Sequence, residues 1–391
     1  MSGFGVAHLP QERRGVSLVK DKKAKGSGEC SVNNMIVGID LGDNSSVATV
    51  LSRSGEVLDR FTFQMSGDGY ALFSDKVPKD ARVAFEATCM AYPFSRALKE
   101  SGYEDVTVAH PAELAWIVKS KRKNDRADSL KIAKLHLAGF LPESHLLGRK
   151  EQIFRDLLIQ RVKFGVEIGR VKSRIISYLK REGVYDSLPE TKDNFSVARR
   201  QAIAALKFND DRDLVLETMM DQLLFMEGQC KPLEERVRST AKQNKYVKIL
   251  MSIPGVDYYL ASLYASYIGD PHRFPSFNHV ASFLGIIPES KDSANVRRRG
   301  RMSKDGPSIA RWALGIMVDT VARHNRNIKA YYSRVKERTG SGNYAHVLTM
   351  KKLARMMHHM MLAEENWRWE DLELTERKLS RLHQDEGGDS T

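Results

Sequence analysis

Cysteine is scarce and scattered, with only Cys30, Cys89 and Cys230 among 391 residues. Their spacing fits neither a disulfide framework nor paired zinc ligands, so stability must come from buried apolar cores in a reducing compartment. Long apolar runs are missing too. No stretch approaches the roughly 18 uninterrupted apolar residues of a membrane-spanning helix. The N-terminal stretch mixes Arg13, Arg14, Lys20, Lys22, Lys23 and Lys25 without an apolar centre, which argues against a secretory leader, and a cytoplasmic chain is the expectation. Acidic residues are outnumbered, 49 against 62 Lys plus Arg, for a net charge of +13. That excess favours a polyanionic partner, because each neutralised phosphate releases counterions.

The basic residues cluster. Lys119, Lys121, Arg122, Lys123 and Arg126 crowd one stretch, and Arg297, Arg298, Arg299, Arg301 and Lys304 crowd another. Both runs are candidate nucleic-acid contacts, the alternative being solvated loops.

The length suggests two or three domains. Residues 1–33 show no sustained period and read as a basic flexible arm. Within 34–150, Met35 to Leu41, Ser46 to Ser52 and Glu56 to Phe63 form a predicted three-strand meander, rich in Val, Ile, Phe and Thr and divided by turn residues. Arg82 to Glu86 and Asp105 to Ala109 add two strands around a helix whose Phe94, Ala97 and Leu98 share a face, and a further helix runs from about Arg126 to Ala138. Three antiparallel strands followed by alternating strand and helix is the order of a ribonuclease-H-like α/β domain.

From 151 to 246 the period becomes helical. Phe164, Ile168, Val171, Ile175 and Tyr178 form one seam, and Leu216, Met220, Leu223, Met226, Cys230, Leu233 and Val237 form another. Such seams suit a coiled-coil hairpin, a partner interface or an ordinary bundle core. Gly183 to Asn209, with Pro189, reads as a break. Residues 247–372 are predicted to be mostly helical, opening with Ile253-Pro254-Gly255-Val256, a helix-hairpin-helix-like turn able to present backbone amides to phosphate. Residues 373–391 read as a polar tail.

Four carboxylates carry the chemistry. Asp40 ends the first strand and Glu86 the fourth, while Asp125 and Asp128, three apart, open the last helix of that domain on one face. Such a cluster repels itself unless hard cations lie within it, and an all-oxygen set suits Mg²⁺ or Mn²⁺ in phosphodiester cleavage. For any one Asp the alternative is a cap or turn residue. Gly38-Ile39-Asp40-Leu41-Gly42 followed by Asn44-Ser45-Ser46 also resembles the first phosphate hairpin of actin-like ATPases, but no further Gly-rich phosphate loop follows between Glu86 and Leu147.

Val37-Gly38-Ile39-Asp40, Phe85-Glu86-Ala87-Thr88, His110-Pro111-Ala112 and Lys123-Asn124-Asp125-Arg126-Ala127-Asp128 together resemble the DEDD recombinases of IS110-type insertion sequences, relatives of the Piv-type DNA invertases. Ile253-Pro254-Gly255-Val256, Ile268-Gly269-Asp270, Leu284-Gly285-Ile286-Ile287-Pro288 and Gly300-Arg301-Met302-Ser303-Lys304-Asp305-Gly306 follow in the family's order, so the resemblance spans roughly residues 35–365.

The resemblance implies a RuvC-like nuclease domain, a coiled-coil insertion and a C-terminal transposase domain bearing a nucleophilic serine. It also implies a homo-oligomer, dimer or tetramer, working on element-end and target DNA with a bridge RNA. Counted from Pro288 and Gly300, the family's serine falls on Ser293, where Ala294 replaces the usual glycine; Ser303, beside Lys304, is the other candidate. A Piv-like invertase, and a RuvC-like junction-binding or junction-cleaving protein without a covalent serine, are the alternative readings. His358 and His359, in a Met-rich stretch, read as packing or surface residues.

Overall fold

The computed structural model describes residues 35–111, 113–114, 125–293 and 296–383. The chain divides into two compact units, one up to Leu146 and one from Leu147.

The first unit is built on a mixed sheet. Strands β1 (Ile36–Asp40), β2 (Ser45–Leu51) and β3 (Val57–Gln64) form an antiparallel meander. Helix α1 (Gly67–Lys76) leads to β4 (Arg82–Glu86), and α2 (Ala91–Glu100) leads to β5 (Val106–Ala109). The order is β3-β2-β1-β4-β5, with β4 parallel to both β1 and β5, the strand order of ribonuclease-H-like folds. The last described helix of this unit is α3 (Asp125–Leu137).

Because side chains alternate along a strand, the two sheet faces differ. On one, Val37, Ile39, Val83, Phe85 and Phe63 join Phe73 and Phe94 from α1 and α2 in an aromatic-rich core. Its rings meet at centroid distances such as 5.2 Å for Phe85 and Phe94 and 5.3 Å for Phe63 and Phe73, within the favourable range for tilted aromatic pairs. On the other face α3 packs: Ala133 meets Ile36 and Leu51, and Ile132 meets Ala84 and Ala109.

The second unit is helical apart from one β-hairpin. Its helices α4 (Arg149–Arg181), α5 (Val197–Ala205), α6 (Asp211–Ala241), α7 (Lys245–Met251), α8 (Tyr258–Ile268) and α9 (Phe277–Phe283) precede strands β6 (Pro288–Ser293) and β7 (Val296–Met302). Helices α10 (Ser308–His324), α11 (Arg326–Thr339), α12 (Gly342–Ala363) and α13 (Leu372–His383) follow. The predicted seams of α4 and α6 are filled within the chain: Val171, Ile175 and Tyr178 pack with Leu216 and Leu223 and with Phe195 and Ile203.

Three expectations are corrected here. The break at Gly183 to Asn209 contains α5, started by Ser196, whose hydroxyl accepts from the Arg199 amide, and held by buried Ile203. The segment expected as a tail from residue 373 is instead α13 as far as His383, with Leu382 in the main core. Lys378 in that helix donates to the carbonyls of Met251, Ile253 (3.0 Å) and Val256 (3.1 Å), and burial lowers its ammonium pKa to about 8. The third correction concerns the turn those carbonyls belong to. Pro254 and Val256 are buried. Gly255, at φ +91°, lies so close to α10 that a Cβ there would sit 2.8 Å from the carbonyl of Thr320. The Pro-Gly turn is therefore a core joint between α7 and α8, not a loop offered to phosphate.

Candidate nucleic-acid-processing site

Asp40 and Glu86 end neighbouring parallel strands. The register pairs Ile39 with Phe85, so the two carboxylate residues occupy the next position on each strand, about 4.8 Å apart across the ladder. Alternation puts Asp40 on the face of Gly38 and Ile36, and Glu86 on the face of Ala84, which is the face that α3 covers.

The close approach of α3 depends on one glycine. A Cβ on Gly38 would fall 2.2 Å from the Ala133 nitrogen and 2.3 Å from the Ser129 carbonyl oxygen. Opposite Gly38 in the ladder stands Thr49, whose hydroxyl shares a buried 2.8 Å hydrogen bond with the Ser129 hydroxyl. Farther along α3, Leu137 reaches Gly55 beyond β2. His136 lies near Arg82 and Asp105, at the starts of β4 and β5. The helix thus runs antiparallel to β1, and its first turns, carrying Asp125 and Asp128, lie toward the Asp40 end of the sheet.

Asp128 is half-buried and paired with Lys131 at 2.6 Å, one turn along the same helix. Asp43, in the loop after β1, accepts a 3.5 Å hydrogen bond from the Cys89 thiol in the loop after β4. It is a further carboxylate at this end that strand patterning did not single out, because it lies in a turn with no strand period. Among the described residues no group of three or more His, Cys, Asp or Glu side chains forms a ready-made metal cage. The donor set nevertheless suits a hard divalent cation, being wholly oxygen and spread over two strand ends and a helix start.

The basic runs fare differently. Lys119, Lys121, Arg122 and Lys123 lie outside the described residues. Arg297, Arg298, Arg299 and Arg301 lie on β7, one side of a two-stranded ribbon within the region expected to be mostly helical: Ser293 pairs with Val296, Asp292 with Arg297, and Lys291 with Arg298. Ser293 is the last residue of β6, at the tip. Ser303 follows β7 at the base, where its amide donates to the Ile287 carbonyl at 2.9 Å and its hydroxyl is buried without a hydrogen-bond partner. Ser303 is hydrogen-bonded to Ile287, six positions before Ser293 on the same side of the ribbon, which at roughly 3.3 Å per residue sets the two candidate serines on the order of 20 Å apart along the ribbon. Lys304 is exposed at φ +58°. His358 is a packing residue as expected: its Nε2 meets the Pro271 carbonyl at 3.2 Å, and burial lowers its pKa.

A ribonuclease-H-like sheet with Asp and Glu at the ends of its central parallel strands and further Asp residues opening the covering helix is the architecture of a DEDD transposase domain. Sequence comparison agrees: the profile of the DEDD transposases of IS110 type matches residues 37–183, and that described as the transposase IS116/IS110/IS902 family matches residues 247–333. The transposase for insertion sequence element IS1533 of Leptospira borgpetersenii is 25% identical over 245 residues, covering 60% of this chain and 69% of that protein. The 43.6 kDa protein of insertion element IS110 of Streptomyces coelicolor is 22% identical over 151 residues, covering 39% of this chain and 36% of its own length. The chain belongs to the IS110 family of DEDD transposases, enzymes that act on DNA. Among the described residues no helix is long and apolar enough to cross a membrane.

Proposed function

We propose that this transposase cuts and rejoins DNA at the ends of an insertion sequence through a covalent Ser293 intermediate, with Asp40, Glu86, Asp125 and Asp128 holding Mg²⁺ or Mn²⁺. The observation that carries the reading is the placing of Asp40 and Glu86 at adjacent strand ends, on the face where the first turns of α3 arrive. A divalent ion held there would supply charge neutralisation at the scissile phosphate. The Ser293 oxygen attacks phosphorus and its proton passes to solvent. The bond from phosphorus to the deoxyribose oxygen breaks, and that oxygen leaves as a hydroxyl after taking up a proton. One phosphodiester is replaced by another, so rejoining needs no external energy source.

The arginine run of β7 serves as a set of charge-assisted donors for phosphate oxygens beside Ser293. Lys119, Lys121, Arg122, Lys123 and Lys304 contribute further phosphate contacts. Carboxylates and serine belong to different compact units, which favours an assembly in which copies of the chain cooperate on DNA, and the family membership favours guidance by a bridge RNA.

The test uses Asp40→Asn, Glu86→Gln and Asp128→Asn in the full-length chain. Strand cleavage of element-end DNA should fall by at least about a hundredfold, while DNA affinity changes less than about threefold. Cleavage at the wild-type rate in these variants would refute the metal-site reading.

A further inference from the structure

The β6–β7 ribbon has only two strands, and such a ribbon is marginal unless something else fixes it. What fixes this one is at its base. The stem before β6 and the stem after β7 meet backbone to backbone through Gly285 and Gly306. A Cβ on Gly306 would fall 1.9 Å from the Phe283 carbonyl oxygen, and a Cβ on Gly285 would fall 2.8 Å from the Gly306 nitrogen. Two ladder-like bonds close the base, from the Ser303 amide to the Ile287 carbonyl and from the Lys304 amide to the Gly285 carbonyl at 3.2 Å.

Arg311, in the first turn of α10, reaches into this junction. Its Nη1 donates to the Leu284 carbonyl at 3.2 Å and to the Gly306 carbonyl at 2.5 Å, so a single guanidinium nitrogen ties the entering stem to the leaving stem. It also stands 2.9 Å from where a Gly285 Cβ would be, filling the space the glycine leaves. Partial burial lowers the pKa of this guanidinium from its ordinary value, although an arginine keeps its charge throughout the working pH range.

We infer that Arg311 is a positioning residue for strand transfer: it locks the root of the ribbon to α10 and so sets where the tip, with Ser293, is held. This rests on Ser293 being the nucleophile. An attacking atom misplaced by about 1 Å can cost on the order of a hundredfold in rate, and a ribbon of this length magnifies a small tilt at its root into a larger displacement at its tip. Binding depends on summed charge and is far less sensitive to such a tilt.

The experiment compares wild type, Arg311→Ala and Arg311→Lys in the full-length chain by two readouts. The first is amide hydrogen exchange without nucleic acid. Amides of residues 289–302 should exchange about tenfold or more faster in Arg311→Ala, with Arg311→Lys between the two and the amides of α10 and α12 unchanged. The second is serine–DNA adduct formation on nicked element-end DNA. The adduct rate should fall about tenfold to a hundredfold in Arg311→Ala, duplex affinity should stay within about twofold, and added guanidinium should restore part of the rate. Unchanged exchange in 289–302, or equal loosening of α10 and α12 in both variants, overturns the inference. Wild type that forms no adduct at Ser293 refutes the nucleophile assignment instead, and the exchange readout still decides whether Arg311 locks the ribbon.

Discussion

Gly38 and Ser129 touch backbone to backbone: the position a Gly38 Cβ would take lies 2.3 Å from the Ser129 carbonyl oxygen. This contact brings α3 down onto β1 and, through the helix direction, sets its first turns at the end of the sheet where Asp40 and Glu86 stand.

Replacing Gly38 with Ala should therefore lift α3 from the sheet. Because the obstructing atoms are backbone rather than a flexible side-chain end, we expect a loss of about 3 kcal/mol in stability, read as a lower denaturant midpoint. Divalent-ion protection of α3 in hydrogen exchange should weaken as well. A variant as stable as wild type would contradict the packing described.

Reversing the charges of Arg297, Arg298 and Arg299 to Glu should weaken DNA binding. It should also make the logarithmic salt slope shallower by about two to three, one counterion set per lost phosphate contact. Binding isotherms at several salt concentrations check this. An unchanged slope would mean that the run does not meet phosphate.

His136 links pH to stability in the first unit. Burial, reinforced by nearby Arg82, lowers its pKa from 6.5 to about 4, and its Nε2 is buried without a hydrogen-bond partner. The folded chain thus binds this proton less readily than the unfolded chain. The contribution is fully present above pH 6.5 and is lost as pH falls toward 4, amounting to about 3 kcal/mol. His136→Leu should flatten the acid limb of a stability–pH profile between those values. A limb of unchanged steepness would contradict the assignment.

Much of this was legible in the sequence, and for physical reasons. The strands of the sheet alternate apolar residues of high β-propensity between turn residues, and Asp40 and Glu86 stand out because each closes such a run. The direction of α3 was not legible, since it depends on Gly38, and a lone glycine does not say what approaches it. The β6–β7 ribbon was not legible as strands because its residues are rich in Lys, Arg, Asp and Ser, which carry no apolar alternation. Helix α13 was read as tail because its core contacts are few and widely spaced, Thr375, Leu379 and Leu382 among charged neighbours. The burial of the Pro254–Gly255 turn follows from Lys378 and Thr320, 123 and 65 residues beyond Gly255, which local pattern cannot supply.

The proposed mechanism turns on the serine. Wild-type protein, Ser293→Ala and Ser303→Ala should each be trapped on nicked element-end DNA with Mg²⁺, and any DNA-linked peptide mapped by mass spectrometry. Attack by Ser293 predicts an adduct on Ser293 in wild type and in any Ser303→Ala protein that folds, and none in Ser293→Ala, which should still fold and bind DNA. An adduct on Ser303, or efficient cleavage with no adduct on any serine, would contradict it.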